Sequence, residues 1–455
     1  MDSMLKEPKN VYFVGIGGIG MSALARWFRL RGFRVGGYDR TPSPLTEKMR
    51  TEEQIEINYR DDAEAIPAAY RSPEDTLLIY TPAVPKESRQ LGFFLRNGFV
   101  PHKRSQVLGM LSRSGKALCI AGTHGKTTTT TLLAYLLKKS SVGCNAFLGG
   151  ISVNFGTNLL TDPSSDYMVV EADEYDRSFL QLDPWIAGIT AMDADHLDIY
   201  GDRESMVEAF GEFADRTAEK GLLFLKKGLR LTGRKADGYY AVDEPGDICS
   251  DHLRVEGIRY RFDYHGRGRE IPDLLLGIPG RINVENATLA IAVALEAGVT
   301  PDEIRAALPG FRGVERRFSI LAEGRVTYMD DYAHHPREIE AVLSSAREMW
   351  PDKKLTVAFQ PHLYTRTRDL SAGFAAALDL ADEVLLLEIY PAREEPLPGV
   401  DSGLIRKQLK KPGRILSKEA LLKYAEEVRE GVFMTMGAGD IDRLVPALTR
   451  LFAKR

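Results

Sequence analysis

The chain of 455 residues has few cysteines and no excess of positive charge. Its cysteines, Cys119, Cys144 and Cys249, are odd in number, widely spaced and form no CxxC pair. This pattern argues against a disulfide framework or a zinc knuckle. Lysine and arginine total 60 and aspartate and glutamate total 64, which gives a net charge of -4. We therefore expect no nucleic-acid partner, and any polyanion that binds must be held locally.

The sequence also lacks a long hydrophobic run. Residues 1–10 are polar, and no stretch of about 18 or more apolar residues follows. Hydrophobic residues make up 44% and charged residues 27%, a globular composition that is too apolar for a disordered chain. We expect a cytoplasmic protein with no membrane segment, while its oligomeric state stays open.

Short β-branched runs, glycine-rich turns and helices of apolar periodicity alternate along the chain, which is typical of α/β domains with largely parallel sheets. We predict three domains: a Rossmann-like domain over 1–106, a central parallel sheet of the P-loop ATPase type over 107–314, and a second Rossmann-like α/β domain over 315–455. Residues 234–272 are polar and turn-rich, and we predict an insertion of small antiparallel strands there. The stretch 311–317 is the predicted hinge between the last two domains.

A glycine turn follows the first predicted strand, Val11–Val14. It satisfies GxGxxG, opens a helix and precedes Asp39 at the end of the next strand. Such a turn lets backbone amides and a helix N-terminus approach a pyrophosphate. The pattern leaves three interpretations open: NAD or FAD, another diphosphate such as that of a UDP-sugar, and packing alone. The predicted binding residues of the turn are Gly15, Gly17, Gly18, Ile19 and Gly20.

A second loop follows the predicted strand over 117–121 and precedes a leucine-bearing helix. It departs from the strict phosphate-loop spacing, which would place the first glycine at Ile120. Consecutive amides at a helix N-terminus can still cradle phosphate, Lys126 can bridge the β- and γ-phosphates, and the Thr127 hydroxyl can reach Mg²⁺. The alternative is a polar helix cap with a chance lysine. The predicted nucleotide-binding residues here are Gly122, Thr123, His124, Gly125, Lys126, Thr127 and Thr128.

An ATP site also needs carboxylates for the metal. Glu171 stands at the carboxyl end of the predicted strand over 167–170, where Mg²⁺ is met in a sheet of this type. His196 follows another strand, over 185–190, among three aspartates. A solvated acidic loop and a structural histidine are the alternatives for these two positions.

Three histidines and a glycine turn in the C-terminal third of the chain each have an alternative interpretation as a binding site. His334, His335 and His362 could form a zinc site, although no fourth ligand of suitable spacing accompanies them. The turn Gly437–Asp440 could be a third phosphate-type loop, but we favour packing there.

Seven motifs occur in the order found in the Mur ligases, the ATP-dependent amide-forming enzymes that assemble the peptidoglycan stem peptide. Together they span nearly the whole chain, which therefore resembles this family. The motifs are GTHGKTTTT, VVEADEYDRSF, MDADHLDIYG, NVENA, RRF, DDYAHHP and FQPHLYTRTRDL.

The resemblance implies an ATP-dependent, Mg²⁺-requiring ligase that joins the lactyl carboxylate of UDP-N-acetylmuramate to L-alanine through an acyl phosphate, the first stem-peptide step. The alternative within the family is attachment of a recycled murein peptide to the same nucleotide sugar. The resemblance assigns the first glycine turn to the uridine diphosphate rather than to NAD. A dehydrogenase would leave Lys126 and Glu171 unexplained, and a nucleotide switch would leave the DDYAHHP and TRTR segments unexplained.

The resemblance also implies roles for residues. Lys126, Thr127, Glu171 and His196 serve the phosphates and Mg²⁺, and the turn with Asp39 serves the sugar nucleotide. Further along the chain, Asn283 and Asn286 meet adenine, Arg317 and Asp331 close on the nucleotide, and Tyr332, His334 and Arg366 shape the amino-acid pocket. The catalytic set implied is Lys126, His196, Arg317, Asp331 and His334, with Asp331 and His334 as candidate bases for the amine.

The sequence departs from the family pattern at two positions. Ile282 stands where relatives often have histidine, and Leu363 replaces a common arginine that could meet the substrate carboxylate. Some family members use a carbamylated lysine downstream of the DH motif. This chain has Phe210 or Gly211 there, so we predict none.

Overall fold

The computed structural model describes residues 8–85, 87–193, 200–392 and 394–454. The chain divides into two compact units. The first holds residues up to 252 with 263–274 and 286–312, and the second holds 253–262, 275–285 and 313 onwards. One passage between the units lies at Arg312–Gly313, inside the predicted hinge stretch. The predicted α/β class is confirmed, with three sheets that are mostly parallel.

The first sheet has five parallel strands in the order β3-β2-β1-β4-β5. Its central strands are buried apolar runs, as expected for a parallel sheet covered on both faces. The strands are β1 (Asn10–Val14), β2 (Arg34–Tyr38), β3 (Glu56–Asn58), β4 (Thr76–Tyr80) and β5 (Pro101–Lys103), and the helices are α1 (Ile19–Leu30), α2 (Pro44–Thr51), α3 (Arg89–Arg96) and α4 (Arg104–Ser112).

The second sheet has ten strands in the order β15-β14-β13-β12-β11-β10-β6-β9-β7-β8. The strands are β6 (Lys116–Ala121), β7 (Asn145–Ser152), β8 (Thr157–Leu160), β9 (Tyr167–Ala172), β10 (Ile186–Ile189), β11 (Leu222–Lys226), β12 (Gly238–Val242), β13 (Ile248–Glu256), β14 (Arg259–Gly266) and β15 (Arg269–Leu275). The helices are α5 (Lys126–Lys138), α6 (Arg203–Asp215), α7 (Arg281–Glu296) and α8 (Pro301–Ala307).

The predicted insertion over 234–272 extends this sheet. β12 pairs in parallel with both β11 and β13, so the prediction of antiparallel strands is wrong for β12. Residues 243–247 carry the chain back along β12, and Asp243 takes a left-handed conformation with φ 54°. Alternation of apolar and polar residues shows that a segment is a strand, but it carries no information about direction.

The third sheet has six strands in the order β16-β17-β21-β18-β19-β20, and only the edge pair β16–β17 is antiparallel among its described pairings. The strands are β16 (Ser319–Ala322), β17 (Val326–Asp331), β18 (Leu355–Phe359), β19 (Glu383–Leu386), β20 (Gly413–Ile415) and β21 (Gly431–Met436). The helices are α9 (Pro336–Met349), α10 (Tyr364–Leu378), α11 (Gly403–Arg406), α12 (Lys418–Glu427) and α13 (Val445–Phe452).

Within the first unit, helix α1 is fixed to the second sheet. Arg26 is 6% exposed, and its guanidinium donates to Glu53 at 2.7 Å and to Asn158 Oδ1 at 2.6 Å. Asn158 Nδ2 in turn donates to the carbonyl of Ile19 at 2.6 Å. A buried charge is retained only where its hydrogen bonds are made, so this network fixes the start of α1 against strand β8.

The hydrophobic core of the first unit is continuous across the first two sheets. Phe28 and Leu108 belong to the same buried cluster as Phe147, Phe179 and Phe213. The boundary at residue 106 stays a prediction. Among the described residues, no helix combines the length and the apolar character needed to cross a membrane.

Candidate active site

The first glycine turn lies at the carboxyl end of β1 and is held by the neighbouring strand. The Tyr38 carbonyl accepts from the amides of Gly15 at 2.8 Å and Ile16 at 3.0 Å. Asp39 Oδ2 accepts from the Gly17 amide at 2.7 Å. Helix α1 begins at Ile19, and no side chain of the described chain caps it. Its first amides are therefore available to an anion.

A basic side chain lies beside this turn. A Cβ placed on Gly20 would stand 2.5 Å from Arg104 Nη1, and Arg104 Nη2 lies 3.7 Å from Asp173 Oδ2. The guanidinium therefore reinforces the positive end of the helix. The residues Gly18–Met21, Arg104, Glu171 and Asp173 line one cavity of about 200 Å³. The structure thus brings the predicted diphosphate turn and the predicted metal carboxylate to the same cavity.

The phosphate loop joins β6 to α5. Gly125 caps the helix in a left-handed conformation, with φ 81°, and a Cβ there would stand 2.6 Å from Asn286 Oδ1. Both conditions favour glycine at this position. The Thr190 hydroxyl donates to the Ala121 carbonyl at 3.1 Å and to the His124 carbonyl, so β10 closes the loop from the other side.

The other predicted loop residues lie close to the same turn. The Thr123 hydroxyl accepts from the Asp193 amide at 3.1 Å, and His124 Nε2 lies 3.5 Å from Asp193 Oδ2. Thr127 and Thr128 are buried in the first turn of α5. The loop, its helix and its neighbouring strand therefore have the arrangement that the sequence predicted.

Lys126 is partly buried, and its ammonium is fully hydrogen-bonded. Its ammonium donates to the Gly122 carbonyl at 2.6 Å and to the two Glu174 carboxylate oxygens at 3.0 and 2.8 Å. Burial by itself lowers the pKa of Lys126, but the carboxylates of Glu174, Asp173 and Glu171 outweigh it and raise that pKa above its ordinary value. Lys126 is therefore a fixed positive charge at the loop.

Glu171 lies on β9 beside the loop strand, since the register pairs Ile120 with Glu171. A Cβ on Gly149 would stand 2.1 Å from Glu171 Oε2, so the carboxylate occupies the space over a bare glycine. A carboxylate and the Thr127 hydroxyl near a phosphate loop are the hard oxygen donors that Mg²⁺ prefers. These residues fit a magnesium site, whereas the predicted ligand His196 lies outside the described residues.

The two asparagines on α7 fall into different units. Asn286, in the first unit, accepts from the Thr129 hydroxyl at 3.2 Å and lies over Gly125. Asn283, in the second unit, donates from Nδ2 to the Pro279 carbonyl at 2.6 Å. Asn286 thus contacts the phosphate loop itself, and the adenine role of both residues stays a prediction.

The second unit gathers the residues predicted for the C-terminal domain. Asp331 is 4% exposed, and its two oxygens accept from the amides of Phe318 and Ala333, each at 2.6 Å. The guanidinium of Arg317 lies 5.2 Å from the centre of the Tyr332 ring. The rings of Tyr332 and His334 are 5.3 Å apart. Arg317, Asp331, Tyr332 and His334 therefore form one cluster.

His334 is held by its own turn and by α9. Its Nδ1 lies 3.0 Å from the Tyr332 carbonyl and 3.4 Å from Glu338 Oε2. Burial is the largest effect and lowers the pKa of His334, Glu338 opposes that effect, and the positive charge of Arg366 adds to it. The imidazole is therefore neutral near pH 7. Arg366 lies in the first turn of α10.

The zinc hypothesis for the three histidines is not supported. His335 caps α9, with its Nδ1 accepting from the Arg337 amide at 3.3 Å. In the described ranges, the only group of three potential ligand side chains whose ligand atoms lie within 4.8 Å of one another is Asp251, Asp263 and His265.

The packing interpretation of the turn Gly437–Asp440 agrees with the structure. Gln360 fills it, with Nε2 donating to Asp440 at 2.9 Å and Oε1 accepting from the Ile441 amide at 2.8 Å.

Sequence reasoning did not single out three residues that the structure places beside predicted ones. Arg104 lies next to the glycine turn, Glu174 holds Lys126, and Glu338 lies 3.6 Å from Arg317 as well as against His334. Arg104 and Glu174 stand just after the strands β5 and β9. Ligands bind at the carboxyl ends of parallel strands, so that position was the available signal. Glu338 lies inside a helix and carried no such signal.

Comparison with known protein families assigns the chain to a class. A model described as "Mur ligase family, catalytic domain" matches residues 10–116, "Mur ligase middle domain" matches 120–294, and "Mur ligase, glutamate ligase domain" matches 316–439. The chain belongs to the Mur ligase family, and the resemblance inferred from its motifs is confirmed.

Individual members of the family are similar to this chain over nearly its whole length. A UDP-N-acetylmuramate--L-alanine ligase of Phocaeicola vulgatus is 50% identical, over 98% of this chain and 99% of that protein. The crystal structure of the UDP-N-acetylmuramate-alanine ligase MurC from Thermotoga maritima matches with a TM-score of 0.81 at 30% identity, covering 98% of each chain. A murein peptide ligase from Psychrobacter arcticus matches with a TM-score of 0.69 at 21% identity, over 98% of this chain and 99% of that one, and shares the fold.

Proposed function

We propose that this chain is an ATP-dependent ligase that forms an amide between the lactyl carboxylate of UDP-N-acetylmuramate and L-alanine, with Mg²⁺ as the metal. The observation that carries the proposal is the cavity shared by the glycine turn and Glu171, beside the phosphate loop of the same unit. A diphosphate held at the turn leaves its sugar near the carboxylate that is suited to the metal. The alanine ligases among the relatives support this choice of substrates.

The reaction needs activation, because a carboxylate is a poor electrophile. A lactyl carboxylate oxygen attacks the γ-phosphorus of ATP, the bond from that phosphorus to the bridging oxygen breaks, and ADP leaves. The alanine amine then attacks the acyl carbon of the acyl phosphate, and inorganic phosphate leaves as the amide forms. Positioning and charge stabilisation supply most of the catalysis in such transfers.

The residues of the first unit provide that stabilisation. Lys126 presents a partly buried positive charge to the transferred phosphoryl group, and the loop amides cradle the neighbouring phosphates. Arg104 and the start of α1 hold the diphosphate of the sugar nucleotide. Thr127 and Glu171 would hold Mg²⁺, which would supply positive charge to the phosphates.

Residues of the second unit serve the amine. The attacking amine must be neutral, so a base has to accept its proton. Both Asp331 oxygens are occupied by backbone amides, whereas His334 has a lowered pKa and a neutral ring. We therefore assign the base to His334 and a shaping role to Asp331, with Tyr332 and Arg366 lining the amino-acid pocket.

The ligase that adds a recycled murein peptide is the second candidate. It acts on the same sugar nucleotide, and a murein peptide ligase shares the fold at 21% identity. The 50% identity to an alanine ligase favours the single amino acid.

One assay tests the proposal. Phosphate release from ATP is measured with UDP-N-acetylmuramate and, in turn, L-alanine, glycine, L-serine and the tripeptide L-alanyl-γ-D-glutamyl-meso-diaminopimelate. We expect release that requires both the sugar nucleotide and an amine and that is fastest with L-alanine. Release with the tripeptide alone selects the second candidate, and release without the sugar nucleotide contradicts both.

Asp39 provides a test of the glycine turn. In Asp39→Ala, the Gly17 amide loses its carboxylate partner, so the turn is less well fixed for the diphosphate. We expect the KM for UDP-N-acetylmuramate to rise about tenfold, the effect of roughly 1.4 kcal/mol, with a smaller change in kcat. Steady-state kinetics measure both. Asp75→Ala is the control, since its exposed ion pair with Lys9 contributes little. Equal KM values for the two variants contradict the assignment.

A further inference from the structure

Glu174 stands out because it is a buried carboxylate without a role in the reaction described above. Its side chain is 1% exposed, and that of Lys126 is 13% exposed. It lies just past the end of β9, three residues after the metal-site carboxylate Glu171. Removing a charged pair from water is costly, and such a pair persists only with good geometry. This pair is largely removed from water and lies at the phosphate loop.

The geometry of the pair is complete. An ammonium has three hydrogens to donate, and Lys126 makes three contacts, one with the Gly122 carbonyl and two with the Glu174 carboxylate. The side chain is therefore held across the loop, with its Nζ above the turn that is built to receive phosphate. A lysine has several rotatable bonds, and unrestrained it would lose this position much of the time.

Glu174 is itself firmly placed. Its carbonyl accepts from the buried Tyr200 hydroxyl at 2.6 Å and from the Arg177 amide at 3.0 Å. Its backbone is thus fixed from two directions while its carboxylate faces the loop. A carboxylate fixed in this way can hold a mobile lysine in one orientation.

We propose that Glu174 is a positioning residue that holds Lys126 in place for the nucleotide phosphates. The inference rests on the proposed use of this loop for ATP. The carboxylate keeps the ammonium pointed across the loop, and an incoming phosphate oxygen replaces one of its three contacts while the others keep the side chain in place. Glu174 acts through Lys126 and does not touch the reacting atoms.

The test is a double-mutant cycle on nucleotide affinity. The dissociation constant of AMP-PNP with Mg²⁺ is measured by calorimetry for the wild-type chain, for Glu174→Gln, for Lys126→Met and for the double variant. We expect Glu174→Gln to weaken binding at least about fivefold, and the same change in the Lys126→Met background to alter affinity less than about twofold. Glu174→Asp keeps the charge but withdraws it by one methylene. Its affinity for AMP-PNP should therefore fall between those of the wild-type chain and Glu174→Gln.

Controls separate positioning from general stability. Glu383→Gln removes a matched carboxylate, 9% exposed and 2.7 Å from Lys354 Nζ, and should leave AMP-PNP affinity unchanged. Unchanged or tighter binding by Glu174→Gln, or an equal loss in the Lys126→Met background, overturns the proposal. If Glu174→Gln does not fold, Glu174→Asp decides in the same way. A wild-type chain that binds AMP-PNP but forms no amide contradicts the proposed ligase function. The double-mutant cycle on nucleotide affinity then still tests the role of Glu174.

Discussion

Lys126→Ala lowers kcat of the ligase reaction by about a thousandfold or more. Lys126 supplies a partly buried positive charge at the phosphate loop, and removal of one such stabilising group in a water-poor site typically costs about a hundred- to a thousandfold in rate. Phosphoryl transfer depends on such groups almost entirely, so we place the loss at the upper end. Phosphate release under saturating substrates measures it.

The same substitution also lowers stability. Glu174, 1% exposed, loses the Lys126 ammonium, and breaking a buried pair from one side costs about 3–5 kcal/mol. The rate must therefore be normalised to folded protein by circular dichroism. Lys138→Ala is the matched control, since Lys138 lies on the same helix and pairs with Asp162 at 3.1 Å. A folded Lys126→Ala variant with near-normal kcat would remove Lys126 from the site.

Asp331→Ala is expected to have the second largest effect. It leaves two buried amides, those of Phe318 and Ala333, without their acceptor, at about 1–3 kcal/mol each. These amides flank the segments that carry Arg317, Tyr332 and His334, so the amino-acid pocket loses its shape. We expect kcat/KM for L-alanine to fall about a hundredfold or more. Chemical denaturation and steady-state kinetics measure the two effects.

The pH dependence gives an independent check on Asp331. Burial raises the pKa of Asp331 from 3.8 to about 6, against the opposing effect of Arg317. The folded chain therefore holds this proton more tightly than the unfolded chain does. The contribution of Asp331 to stability is fully present below pH 3.8 and is lost as the pH rises through about 6.

Activity should follow the opposite trend, because the protonated carboxyl has one acceptor oxygen fewer for the two amides. We expect kcat/KM to fall as the pH drops through about 6, and this acid limb to become shallower in Asp331→Asn at its lower overall rate, because only the proposed base His334 then titrates. Asp382→Asn is the control, since the pKa of that carboxyl is lowered and it titrates outside this range. An acid limb with the slope and midpoint of the wild type in a folded Asp331→Asn variant contradicts the assignment.

Much of the fold follows from local patterns. The strands β1, β6, β9 and β10 lie where the apolar runs and glycine turns predict them. Parallel strands buried on both faces read as continuous apolar runs, which makes them easy to locate. The direction of β12 was not predictable, because its neighbours in the sheet are set by the path of the whole chain.

The candidate site, like the fold, has parts that follow from local sequence patterns and parts that do not. The phosphate loop is local, since strand, loop and helix N-terminus are consecutive, and Lys126, Thr127 and Gly125 follow from the order of residues alone. Glu171 follows from its place at a strand end, and Asp331 from the resemblance to the family. The carboxylate partner of Lys126 is 48 residues away at Glu174, and one partner of Arg26 is 132 residues away at Asn158. No spacing rule connects such pairs.

By itself, then, the sequence determined the α/β class, the two glycine loops at helix N-termini and the Mur ligase motifs, because each depends on neighbours along the chain. The tertiary structure alone decided that the first glycine turn and Glu171 share a cavity, that Arg104 reinforces that turn, and that Glu174 holds Lys126. These features depend on which strand ends meet at one edge of a sheet. Which strand ends lie side by side depends on how the whole core is buried rather than on any local pattern.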